Sequence, residues 1–175
     1  MLYSELQCSE AIHKAVERMG FVEMTEVQEK TIPVMLAGHD VIAKAPTGTG
    51  KTCAFGIPVA EHILPENKYP QAVIMAPTRE LAQQIAQELE ELTYFMPEVQ
   101  VACVYGGANM EKQAKRLAEG CQIVVATPGR LMDHYKHHSI DISHVTQIVL
   151  DEADEMLNMG FYKDVRHIIE MMKAR

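Results

Sequence analysis

Short apolar runs and amphipathic stretches alternate along the chain. The runs fall at residues 41–45, 72–76, 99–105, 122–126 and 146–150. Each has the length and β-branched content of a strand covered on both faces, continuous rather than alternating with polar residues. The intervening stretches carry helical periodicity. In 78–94, Leu81, Ile85, Leu89 and Leu92 recur at three- and four-residue spacing, while Glu88, Glu90 and Glu91 add a charged face. Two more helices are predicted ahead of the first run, over roughly 9–19 and 25–37, the second opening with the capping-box pattern Thr25-x-x-Gln28. Residues 109–119 and 161–174 read as amphipathic cover. Strands alternating with helices predict an α/β fold, a doubly wound and mainly parallel sheet with helices on both faces. Its ligand site belongs at the carboxyl ends of the strands. No repeat or linker interrupts the 175 residues, so one domain is expected, with helices in 1–38 leading a core in 39–175.

Composition narrows the class. No apolar run approaches the length that crosses a bilayer, and the first ten residues lack the pattern of a signal peptide, so no membrane partner is expected. Cys8, Cys53, Cys103 and Cys121 form no C-x-x-C pair and read as free, mostly buried thiols in a reducing compartment, the cytoplasm. The net charge of −8 runs against the basic surface usual in nucleic-acid binders. Contacts to nucleic acid would then rely on backbone N–H groups and a few local arginines, or on a basic segment elsewhere in a longer protein.

Ala45-Pro46-Thr47-Gly48-Thr49-Gly50-Lys51-Thr52 follows an apolar run and opens a helical pattern, the context a Walker A loop requires. Its glycines allow a sharp turn that points successive N–H groups at phosphate oxygens, and the helix start adds its positive dipole end. Lys51 would reach the β- and γ-phosphates of ATP, and the Thr52 hydroxyl would ligate Mg²⁺. Ala45 stands where the first glycine is usual. Further on, residues 147–150 run into Asp151-Glu152-Ala153-Asp154. Carboxylates this close repel one another unless a cation sits among them. In a phosphate-loop protein, Asp151 would hold Mg²⁺ and Glu152 would orient and deprotonate the attacking water, a role typically worth ~10²–10⁴ in rate.

Asp-Glu-Ala-Asp at 151–154 resembles the signature of the DEAD-box RNA helicases, and other segments agree. Gly20-Phe21-x-x-Met24-Thr25-x-Val27-Gln28 is similar to the family's Q motif, with Tyr3 as its upstream aromatic. The resemblance implies that Gln28 reads the adenine edge and Phe21 offers a stacking surface, with Thr25 beside them. Met24 replaces the usual proline, which is expected to loosen the loop without removing an adenine contact. Pro77-Thr78-Arg79, Gly106-Gly107 and Thr127-Pro128-Gly129-Arg130 resemble motif Ia, the GG doublet and motif Ib, which implies a grip on the sugar–phosphate backbone of single-stranded RNA. All three follow apolar runs and offer small residues, helix N-terminal amides or an arginine, which suits phosphate rather than base edges.

The implied fold is the first RecA-like domain of such a helicase, and the implied activity is ATP-dependent RNA binding with local duplex unwinding. Asp154 is implied in coupling to a second RecA-like domain. The chain contains neither that domain nor a Ser-Ala-Thr motif, so the core is expected to be truncated at its C-terminal end. It is expected to be marginally stable or self-associating, and nearly inactive alone. Two other readings stand beside this one: an ATP-gated RNA clamp or scaffold without productive unwinding, and a DNA-directed translocase of the same superfamily. His134, His137 and His138 read as a solvated face rather than a metal site, the twelve methionines as core filling, and Pro58 as a helix kink.

Overall fold

The computed structural model describes residues 1–44 and 50–172. After a 3-10 turn at Tyr3–Glu5, the chain forms α1 (Glu10–Arg18), α2 (Glu26–Leu36), α3 (Lys51–Glu61), β1 (Ala72–Met75), α4 (Arg79–Leu92) and β2 (Val101–Val104). Then come α5 (Met110–Ala118), β3 (Ile123–Ala126), α6 (Pro128–Lys136), β4 (Gln147–Leu150), α7 (Ala153–Asn158) and α8 (Tyr162–Met171). Two compact units divide these elements: residues 1–63 with 88–97, and residues 64–87 with 98–175.

The first unit is helical. Ser9 caps α1 by accepting from the Ile12 N–H, and Ile12, Ala15 and Val16 are buried on its inner face. Thr25 caps α2 in the reciprocal arrangement read from the sequence: Gln28 N donates to Thr25 Oγ1 at 3.4 Å and Thr25 N to Gln28 Oε1 at 3.0 Å. Helix α3 is buried along most of its length, from Cys53 to Ala60. A Cβ on Gly56 would lie 2.8 Å from Leu92 Cδ1, so a larger residue there would require the Leu92 side chain to shift. Pro58 lies inside α3, which continues to Glu61.

The second unit carries a four-stranded sheet in the order β2-β3-β1-β4, every pair parallel. Val73, Met75, Val124, Ala126, Leu131, Met156 and Ile168 contribute to its core. Two buried glutamines fasten the loops that enter the sheet. Gln71 bonds Leu64 N, Leu64 O and Asn67 O, and Gln122 bonds Gln100 N, Pro65 O and Glu98 O, so buried loop amides keep their partners.

Three expectations are corrected. Residues 41–44 form no strand, and Ile42 is fully exposed at 103%. An apolar run becomes a strand only where another backbone completes its ladder, and none among the described residues pairs with it. His134 is not on a solvated face but wholly buried, one turn along α6 from buried Leu131. Of the four thiols only Cys53 and Cys121 are buried, Cys8 and Cys103 being half-exposed.

Candidate functional site

Register brings the four strand ends level. Met75 pairs with Ala126 and with Leu150, and Val104 with Ala126. The segments that follow therefore emerge along one edge of the sheet, in the lateral order 105–107, 127–130, 76–79 and 151–152, their strands about 4.8 Å apart. Each of them leads into a helix, and two of these helix starts carry a side-chain cap. Thr78 Oγ1 accepts from Leu81 N at 3.2 Å at the start of α4, and Asn109 Oδ1 from Lys112 N at 3.0 Å at the start of α5. Thr127 stands at the N-cap of α6 with Pro128 as its first residue, where a missing N–H costs nothing.

Side chains knit these segments together. The Arg79 guanidinium lies over the Tyr105 ring at 4.8 Å, and Gln83 Nε2 donates to the Tyr105 hydroxyl at 3.0 Å. Gly107 sits beside them in the left-handed region at φ +85°, its absent Cβ only 3.7 Å from Arg79 Nη1. Arg130 turns inward. Its Nη1 donates to Ala108 O at 3.0 Å and to Gln113 Oε1 at 3.1 Å, and its side chain is 13% exposed. Gln113 is the hub, its Nε2 donating to Tyr105 O and its Oε1 also meeting His134 Nε2 at 3.0 Å. That acceptor puts the His134 proton on Nε2 and leaves its buried Nδ1 without a donor. Burial first, then the Arg130 charge, lowers the His134 pKa. Arg130 thus joins the loop after β2 to α6. Tyr105, Gln83, Gln113 and His134 belong to none of the sequence motifs; only the aromatic before the glycine pair and the polar residue on the buried stripe of α5 hint at them.

Asp151 prolongs the pairing of β4, its N–H donating to Met75 O at 2.9 Å, and it is 9% exposed. Glu152 then adopts a left-handed backbone, φ 54° and ψ 49°, at the N-cap of α7. A non-glycine residue there costs roughly 1–2 kcal/mol, and such strain persists where the surroundings impose it, often at functional sites. Asp154 is exposed, one carboxylate oxygen accepting from Glu155 N at 3.0 Å.

In the first unit, Gln28 is 3% exposed and held by three neighbours. Its Nε2 donates to Gly50 O at 3.1 Å, and its Oε1 accepts from Thr25 N and from the Tyr3 hydroxyl. Gly50 caps α3 at φ +81°, and a Cβ there would lie 2.3 Å from Gln28 Nε2. Lys51 and Thr52 are the first two residues of α3, both half-buried. Ala45, Pro46, Thr47, Gly48 and Thr49 lie outside the described residues. Tyr3 stacks on Phe21 with ring centres 6.1 Å apart, Tyr3 buried and Phe21 42% exposed. Met24 is anchored in its loop. It is buried, and its N–H, which proline would lack, donates to Met1 O at 2.9 Å.

The DEAD/DEAH box helicase family model matches residues 25–175. The chain is 51% identical over 170 residues to the ATP-dependent RNA helicase CshA of Limosilactobacillus reuteri, covering 97% of this chain and 34% of that protein. It is 49% identical to the protein of the same name from Listeria monocytogenes, over 98% of this chain and 33% of that one. A crystal structure of a DEAD box protein from Methanococcus jannaschii superposes with a TM-score of 0.91 at 40% identity, covering 99% of this chain and 47% of that chain. The chain spans about a third of the length of these curated relatives.

Proposed function

The chain belongs to the DEAD/DEAH box helicase family, and on that premise we propose that it forms the ATP-binding and RNA-gripping half of an ATP-dependent RNA helicase. The observation that carries the reading is the level row of strand ends, which gathers Arg79, the Gly106–Gly107 turn, the Thr127 cap and Asp151 on one edge. Backbone amides at helix starts and one stacked arginine suit a sugar–phosphate chain and carry little sequence information. Such a grip also fits a chain whose net charge is −8.

In this reading Gln28 and Phe21 receive the adenine, and the loop from Ala45 to Thr52 receives the phosphates. Thr52 and Asp151 supply a hydroxyl and a carboxylate, the hard oxygen donors that Mg²⁺ takes, and would hold it. Bound Mg²⁺ neutralises charge on the phosphate oxygens. Lys51 adds a positive charge toward the same oxygens. Glu152, held in its strained backbone, accepts the proton of the attacking water. Asp154 couples this half to a second RecA-like domain, the source of arginine fingers worth ~10³–10⁵ in turnover. Four free cysteines suit a reducing cytoplasm, and no helix among the described residues is long and apolar enough to cross a membrane.

The direct test is Glu152→Gln in the protein carrying both domains. ATP binding should persist while RNA-stimulated hydrolysis falls by ~10²–10⁴. Wild-type turnover in the variant would remove Glu152 from the role of base.

A further inference from the structure

We infer that the Tyr3 hydroxyl competes with adenine for Gln28 and so sets how tightly the site takes adenine nucleotides. The inference rests on Gln28 reading adenine, and it follows from counting lone pairs. A carboxamide oxygen has two, and described residues fill both on Gln28 Oε1: one holds the Thr25 N–H, the other the Tyr3 O–H. The Nε2 group has two N–H bonds, one of them on Gly50 O. Adenine offers a donor at N6 and an acceptor at N7. The remaining amide N–H can meet N7, but Oε1 has no lone pair left for the N6 amino group. One of its two donors must withdraw.

The two donors differ in what withdrawal requires. The Thr25 N–H is backbone and half of the capping box that starts α2, so releasing it means unwinding the helix entry. The Tyr3 ring is fixed as well. Its N–H donates to Val22 O at 3.0 Å, its carbonyl accepts from Leu6 N at 3.1 Å, and its face stacks on Phe21. Only the phenolic proton moves freely, by rotation about the C–O bond. Burial raises the Tyr3 pKa further above its ordinary value, so the group remains a donor throughout the working range. When adenine binds, this hydroxyl gives up Gln28 inside a buried site, and the lost bond subtracts from nucleotide affinity. A phenylalanine would keep the ring and the stacking while leaving one Oε1 lone pair open.

The test compares the protein with its Tyr3→Phe variant by equilibrium titration with Mg-ATP, Mg-GTP and inorganic tripolyphosphate, with thermal melts to establish that both are folded. ATP should bind the variant about fivefold more tightly, the worth of one hydrogen bond, while GTP and tripolyphosphate, which offer Gln28 no N6 amino group, bind as before. Equal or weaker ATP binding by the variant overturns the inference, as does equal tightening of all three ligands, because the hydroxyl would then act on the loop rather than the adenine edge. Should neither protein bind ATP, the nucleotide reading falls first and takes this inference with it.

Discussion

Arg79 lies 4.8 Å over the face of Tyr105, so the arginine of one strand end is aimed by the aromatic of another. The Tyr105 hydroxyl is itself held by Gln83 from the next turn of α4. A cation over an exposed aromatic face is worth about 0.5–1 kcal/mol. Tyr105→Leu should therefore weaken single-stranded RNA binding a few-fold, equally for RNAs of different sequence, while Tyr105→Phe retains most of it. Fluorescence anisotropy across a salt series measures both. A sequence-dependent loss would contradict an Arg79 that meets only the backbone.

Gly50 faces two demands at once, a left-handed backbone and the close approach of Gln28 Nε2. Alanine in that backbone region costs roughly 1–2 kcal/mol, and its Cβ would displace the glutamine besides. Gly50→Ala should lower the melting temperature and abolish adenine-nucleotide binding in a titration. A variant that melts and binds like the parent would show that neither constraint matters.

His134 gives the fold a pH dependence. Its folded pKa lies below the ordinary imidazole value of 6.5, from burial and the Arg130 charge. As the pH falls below that value the unfolded chain takes up a proton that the folded chain still refuses, so stability declines toward the folded pKa and is retained above 6.5. Urea melts should show lower stability at about pH 5.5 than at about pH 7.5, and His134→Gln should flatten part of the difference. An identical slope in the variant would mean that the imidazole titrates alike in both states.

The outer strand β4 pairs only with β1 among the described residues, and Leu150, Leu157 and Tyr162 beside it are exposed. An edge strand next to exposed apolar side chains is a pairing template. The 175-residue chain should self-associate in sedimentation at rising concentration, and Leu157→Lys should reduce this. A monomer at all concentrations would argue against pairing through this edge.

What was legible in the sequence follows from locality. Continuous β-branched runs at 72–76 and 122–126 became β1 and β3, and Thr25-x-x-Gln28 became the capping box, because each depends on residues a few positions apart. The segment 41–44 opens on the β-branched pair Val41-Ile42, yet strandhood requires a partner that no local pattern specifies. Arg130 carried a motif that suggested phosphate, but Ala108 and Gln113, 22 and 17 residues away, take up its Nη1. The polarity of His134 suggests a solvated face, yet its place one turn from Leu131 puts it in the core. The Tyr3–Gln28 bond, 25 residues apart, shows in no spacing at all.

The account stands on Lys51 and Asp151 serving one magnesium–nucleotide. Equilibrium binding of ATP, with and without Mg²⁺, to the protein, to Lys51→Ala, to Asp151→Asn and to the double variant tests this directly. If both act on a shared ligand, each single change weakens Mg-ATP binding and the double change costs clearly less than their sum. Losses that simply add, or an Asp151→Asn variant that binds Mg-ATP as the parent does, would contradict it.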